Sequence, residues 1–131
     1  MKIVHYMTYI LSLVFLVGET ARRGIDYFSI NTTTMVEDYL AGILLVTAGV
    51  FWSKKLKAAP VLMVAAWAYA TGGMFVPFFA HLEAYLRVET FRADHPHTDL
   101  ESVITKGIVW AICLTCVVIT MRSNEVRGIG K

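Results

Sequence analysis

Residues 103–121 read VITKGIVWAICLTCVVITM, an apolar run whose one charged residue, Lys106, lies near its start. A helix crosses the hydrocarbon core of a bilayer with about 20 mainly apolar residues, and Lys106 can extend its ammonium to the interface. Three similar runs precede this one. The sequence therefore predicts an all-α, polytopic membrane protein with four transmembrane helices, at about 3–21, 35–52, 58–93 (extending past the membrane) and 99–121.

The composition of the chain agrees with this prediction. The 131 residues are 56% hydrophobic and 17% charged, whereas a soluble domain carries about a quarter charged residues. A chain of this length forms one domain, residues 1–131, which we expect to be an up-down-up-down four-helix bundle. The net charge is only +2 and no basic stripe is present, so nucleic acid is not an expected partner. The expected partners are the lipid bilayer and other membrane protein chains or further copies of this one.

The basic residues are divided unequally between the two sets of helix ends. Seven of the twelve lie at the ends that include both termini: Lys2, Lys54, Lys55, Lys57, Arg122, Arg127 and Lys131. Cytoplasmic loops carry an excess of Lys and Arg. The sequence thus predicts that both termini face the cytoplasm, in a plasma membrane or a bacterial inner membrane.

The acidic residues gather at the opposite, outer ends. Nine of the ten lie there: Glu19, Asp26, Glu37, Asp38, Glu83, Glu89, Asp94, Asp99 and Glu101. Three of the four histidines, His81, His95 and His97, lie with them. Acidic residues contribute little to orientation, so this clustering predicts a polar pocket on the outer face, near Glu19, Asp38 and His81. Pro77 removes a helical hydrogen bond close to His81, which favours a crevice there.

Helical spacing assigns inner faces to the first two helices. On the first, one stripe contains His5, Thr8, Ser12, Phe15, Glu19 and Arg22. On the second, Asp38, Gly42 and Gly49 share a face. Polar side chains on a membrane-crossing helix face the protein interior, and small residues let helices approach closely. These faces are therefore the predicted packing seams.

A divalent metal is one candidate occupant of the outer pocket. Zinc, copper and iron are bound by imidazoles and carboxylates, and the candidate metal or ligand residues are Asp38, His81, Glu83, His95 and His97. No established metal-ligand spacing connects them. A solvated polar cap, in which nearby arginines neutralise the acids, is the simpler interpretation.

A second hypothesis is acid–base catalysis on a lipid-like substrate. A carboxylate beside an imidazole can move protons, and Glu19, Asp38 and His81 are the candidate catalytic residues. The competing interpretation pairs Glu19 with Arg22 or Arg23, one turn along the same helix. A small polar or lipid-like ligand held without catalysis fits the same residues, so whether the protein is an enzyme stays open at this stage.

Two motifs predict where helices begin. Thr34 with Glu37, and Thr98 with Glu101, have the spacing of a capping box and stand directly before apolar runs. In each pair, the Thr hydroxyl is expected to accept a hydrogen bond from a backbone N–H while the Glu reaches back to the cap.

The two cysteines, Cys113 and Cys116, form a C-x-x-C motif in the last apolar helix. This motif and the helix count are similar to those of the vitamin K epoxide reductase family, and the resemblance implies thiol–quinone chemistry. The loops contain no further cysteine to shuttle electrons. Cysteine is also a common small packing residue, which is the preferred interpretation.

Two further classes of function stay open. A non-catalytic accessory subunit or assembly factor of a larger membrane complex fits the small size and short loops. A small oligomeric transporter would need a polar path across the membrane, and the first helix offers few polar groups between Ser12 and Glu19.

Overall fold

The computed structural model describes residues 1–87 and 100–123, of which 90% are helical and none lies in a strand. The elements are α1 (Lys2–Leu13), a π-helical segment (Val14–Gly18), α2 (Glu19–Arg23), α3 (Tyr27–Ile30), α4 (Thr32–Ser53), α5 (Ala59–Arg87) and α6 (Leu100–Arg122). The predicted all-α class is confirmed for this part of the chain.

Four helical stretches among the described residues are long and apolar enough to cross a membrane. They are Lys2–Ala21, which includes the π segment, Thr32–Ser53, Ala59–Arg87 and Leu100–Arg122. Only 22% to 33% of the residues in each apolar window are buried inside the bundle. The core therefore uses a minority of the apolar surface, and soluble monomers rarely leave so much of it exposed.

The core lies between these four stretches, around the fully buried Trp67 of α5. Helix α5 packs against both α4 and α6, and α4 packs against α1, which also touches α6. Each of the four contributes buried side chains to one cluster, including Phe15, Leu45, Met63 and Cys113. The order of neighbours in the bundle therefore follows the order of the helices in the chain.

Helices α1 and α4 approach closely at two glycines. A Cβ atom at Gly49 would lie 2.9 Å from the Tyr9 ring, and one at Gly42 would lie 2.5 Å from the Leu16 side chain. Any side chain at these positions would push the helices apart, because small residues are what permit such an approach. The predicted seam through Gly42 and Gly49 is confirmed.

Helix α4 begins earlier than the sequence predicts. It starts at Thr32, and Asn31 is its N-cap, with Asn31 Oδ1 accepting a hydrogen bond from the Thr34 backbone N–H at 3.1 Å. The capping box predicted for Thr34 and Glu37 is therefore corrected. Asparagine is among the strongest N-cap residues, and its position upstream leaves Glu37 in the second turn. Of the second predicted box, Thr98 lies outside the described residues, and Glu101 lies in the first turn of α6.

Candidate ligand cavity

A cavity of about 670 Å³ opens between the π segment, α2, α4, α5 and α6. Its apolar wall is formed by Val14, Phe15, Met74, Val76, Pro77 and Val109. Its charged and titratable lining consists of Glu19, Arg23, Glu37, Asp38, His81, Glu101 and Lys106. The volume falls within the range of small-molecule pockets, about 300–1,000 Å³, and the lining is amphipathic.

Some of the candidate residues predicted from the sequence line this cavity, and one of them lies outside it. Glu19, Asp38 and His81, which are far apart in the chain, all line this cavity. Glu83 does not line it, and its exposed carboxylate pairs with Arg87 at 2.7 Å. His95 and His97 lie outside the described residues.

Arg23 joins two of the cavity carboxylates. Its Nε lies 2.9 Å from Glu19 Oε2, and its Nη1 lies 3.0 Å from Asp38 Oδ2. Its guanidinium carbon stands 5.2 Å from the centre of the Tyr27 ring, within the range of a cation–π contact. One cation thus serves two carboxylates, and the predicted pairing of Glu19 with an arginine one turn along its helix is confirmed for Arg23.

The π segment accounts for the inward position of Arg23. The predicted stripe is confirmed as far as Phe15, since Thr8, Ser12 and Phe15 are all buried. Two α-helical turns take about 7.2 residues, whereas Arg23 follows Phe15 by eight. A π turn closes between residues five apart rather than four. The extra residue in this segment brings Arg23 to the inward face, where it contacts Asp38.

His81 is oriented by the proline one turn before it. The Pro77 carbonyl can only accept, so the 2.7 Å contact with His81 Nδ1 means that Nδ1 carries a proton and donates it. Pro77 lies inside α5 and has no N–H of its own, so it cannot close the helical hydrogen bond to the Gly73 carbonyl. The predicted gap in the helix bonding thus lies beside the cavity wall.

Glu37 is the cavity residue that sequence reasoning assigned to a different role. Its half-buried carboxylate lies over α5, where Oε1 would be 3.0 Å from a Cβ atom at Gly73. Within residues 1–87 and 100–123, no hydrogen bond or ion pair engages this carboxylate. The signal in the sequence was Asn31, because a strong cap three residues before Thr34 leaves Glu37 without a capping role.

The metal hypothesis gains no support from this geometry. No group of three or more His, Cys, Asp or Glu side chains among the described residues could hold a metal ion. Asp38, one of the candidate ligands, is engaged by Arg23. The cavity is better suited to an organic ligand than to an ion.

No family model matches this chain, and no match to it was found among curated proteins or solved structures. The resemblance of the C-x-x-C pair to the vitamin K epoxide reductase family is therefore not supported by a family match. Cys113 and Cys116 are free thiols with 0% and 4% exposure, inside the core cluster. Their position inside the core cluster agrees with a packing role.

Proposed function

We propose that this protein is a small integral membrane protein that binds a small amphipathic molecule in the cavity between α2, α4, α5 and α6. The observation that carries the proposal is the lining itself, which combines apolar side chains with charged ones. Ligand pockets are concave and largely apolar, with a few polar groups that fix orientation. An apolar body with one polar head fits such a lining.

The membrane placement belongs to the same proposal. Four membrane-length helices in an up-down-up-down bundle bring both termini to one side, and the excess of Lys and Arg at those ends assigns that side to the cytoplasm. The cavity then faces outward, at the end where the acids gather. The helix lengths and the largely apolar exposed surface support this arrangement.

Binding is favoured over catalysis by the partners of the candidate catalytic residues. Arg23 engages both Glu19 and Asp38. A general base must reach the proton that it removes, and these two carboxylates are held by the guanidinium. The contacts support a structural use of Glu19 and Asp38 in shaping the cavity.

The other two classes of function have less support. A transporter needs polar groups along its path, but the buried polar residues in the described part of the chain are Thr8, Ser12 and Thr120. Each donates to a carbonyl of its own helix. No specific contact favours an accessory subunit or assembly factor over a ligand-binding protein.

The test compares two tryptophan substitutions on the same helix. Thr105 lines the cavity, whereas Thr115 is exposed elsewhere on α6. The protein in lipid nanodiscs is titrated with 2-phenylethylamine, 2-phenylethanol and 3-phenylpropanoate, which share an apolar body, and binding is followed by the shift in melting temperature and by equilibrium dialysis. We expect at least one probe to bind the native chain and Thr115→Trp but not Thr105→Trp. Binding by none, or equal binding by both variants, would overturn the proposal.

A further inference from the structure

The geometry points to a protonated amine as the ligand, with its ammonium held by the Glu37 carboxylate. This inference rests on the proposed function and specifies the ligand's chemical class. It begins from the charges that line the cavity: four carboxylates, Glu19, Glu37, Asp38 and Glu101, against two permanent cations, Arg23 and Lys106. With a neutral His81, the lining carries an excess of two negative charges.

The contacts within the cavity distinguish Glu37 from the other three carboxylates. Arg23 lies within 3.0 Å of carboxylate oxygens on both Glu19 and Asp38. Glu101 is exposed to solvent, where a carboxylate needs no protein partner. Glu37 is half-buried, and among the described residues it has neither a hydrogen bond nor an ion pair. A carboxylate withdrawn from water without a partner is costly, so a cation at this point would lower the free energy of the complex.

Glu37 lies against α5 at a position where that helix has no side chain. Its Oε1 would be only 3.0 Å from a Cβ atom at Gly73, so the carboxylate uses the space that this glycine leaves open. A primary ammonium has donors and no acceptor, and its hydrogen bonds to a carboxylate are charge-assisted.

The apolar wall defines the rest of the ligand. Met74 and Pro77, which flank the same turn of α5, line the cavity together with Phe15 and Val109. A hydrocarbon or aromatic group attached to the ammonium would lie against these side chains, and burial of its apolar surface contributes to binding. A small inorganic cation would leave this wall unused. The predicted ligand is therefore a monoamine with an apolar body.

The test uses the three 2-phenylethyl probes, which differ in charge and share the ring. At neutral pH we expect 2-phenylethylamine to bind the nanodisc-embedded protein about tenfold tighter than 2-phenylethanol, since a hydrogen bond between charged groups is stronger than one made by a neutral hydroxyl. We expect 3-phenylpropanoate to bind more weakly than the alcohol. Glu37→Gln should lower the affinity for the amine about tenfold and leave the affinity for the alcohol unchanged.

Two further variants separate the ammonium site from general damage to the fold. Glu83→Gln removes a carboxylate outside the cavity and should change no affinity. Gly73→Ala should displace the Glu37 carboxylate and weaken binding of the amine alone. Helical circular dichroism and a monodisperse elution profile establish that each variant is folded, and Gly73→Ala tests the same carboxylate if Glu37→Gln does not fold.

The outcomes distinguish the inference from the function on which it rests. If no probe binds the native chain, both are overturned. If the alcohol binds as tightly as the amine, or if Glu37→Gln leaves the amine affinity unchanged, the ammonium site is wrong while the amphipathic cavity stands. A selective loss of the amine in Glu37→Gln and Gly73→Ala supports the site as described.

Discussion

Arg23 and Asp38 are fifteen residues apart in the chain, and their side chains meet at 3.0 Å with only 16% and 14% of their surfaces exposed. This contact ties the end of the first helical stretch to the second turn of α4. It forms one side of the cavity and removes two carboxylates, Asp38 and Glu19, from competition for a ligand. The same contact therefore ties the helices together and leaves Glu37 and Glu101 as the cavity carboxylates that Arg23 does not engage.

The Arg23 contacts predict a graded series of stabilities. Arg23→Gln leaves two largely buried carboxylates without their cation and should lower the free energy of unfolding by about 3 kcal/mol, the lower end of the range for a broken buried pair. Asp38→Asn should lower it by about 1–2 kcal/mol, because Glu19 still engages the guanidinium. Unfolding by denaturant in micelles, followed by tryptophan fluorescence, measures both.

The control for this series is Glu83→Gln. Its pair with Arg87 is more than half exposed, so its loss should change the free energy of unfolding by less than about 0.5 kcal/mol. Equal effects of Asp38→Asn and Glu83→Gln would show that the Arg23 contact contributes no more than a surface pair.

Replacement by alanine should have opposite effects at two glycines. Gly49 lies where α1 and α4 approach closely, whereas Gly72 of α5 has open space around it. Gly49→Ala places a methyl group 2.9 Å from the Tyr9 ring and should destabilise the bundle by about 1–3 kcal/mol. Gly72→Ala meets no atom within 4 Å and should be neutral or stabilising by up to about 1 kcal/mol. Thermal unfolding of the two variants under identical conditions tests the seam, and a Gly49→Ala variant as stable as Gly72→Ala would argue against it.

Trp67 should tolerate a ring substitution better than truncation. Its side chain is fully buried, and Nε1 has no hydrogen-bond partner in the part of the chain that the structure describes. Trp67→Ala leaves a large void and should cost about 3–5 kcal/mol. Trp67→Phe also removes the unpartnered N–H, whose burial costs about 1–3 kcal/mol, and this relief offsets part of the lost packing. Calorimetric unfolding measures both losses, and a loss in Trp67→Phe as large as that in Trp67→Ala would contradict this prediction.

The proposed orientation predicts the labelling of two exposed apolar positions by a membrane-impermeant maleimide. Ile25, between α2 and α3, is 74% exposed, and Leu56, between α4 and α5, is 42% exposed. Ile25→Cys should react in intact cells and Leu56→Cys only after permeabilisation. Neither substitution changes the charge that orients the chain, and the native cysteines are buried. The reverse pattern would invert the topology, and labelling of both in intact cells would exclude a membrane-spanning bundle.

The sequence predicted the helices more completely than it predicted the cavity. Hydropathy over about 20 residues depends only on composition along the chain, so the four long apolar helices could be found without any tertiary information. The close approach at Gly42 and Gly49 followed from residue size and helical spacing.

The predictions failed where two local signals competed or where the helix departed from its ideal period. Asn31 and Thr34 were both possible caps for α4, and the choice of Asn31 altered the role of Glu37. The predicted stripe assumed 3.6 residues per turn throughout, and the π segment removed that regularity after Phe15. Arg23 contacts Glu19 and Asp38 because α2 packs against α4 in a particular way. The spacing of residues within one helix carries no information about that packing.

The π segment also has a consequence for the length of the chain. A π turn accommodates one residue more than an α-helix would need, and between Phe15 and Arg23 the surplus residue changes the register without interrupting the helix. Removal of one residue, such as the half-exposed Val17, would leave seven steps between Phe15 and Arg23, close to two regular α-helical turns. Both residues would keep their inward direction. A deletion in the middle of a helix normally rotates everything beyond it out of place, but here it would restore the regular repeat and keep Arg23 beside Asp38.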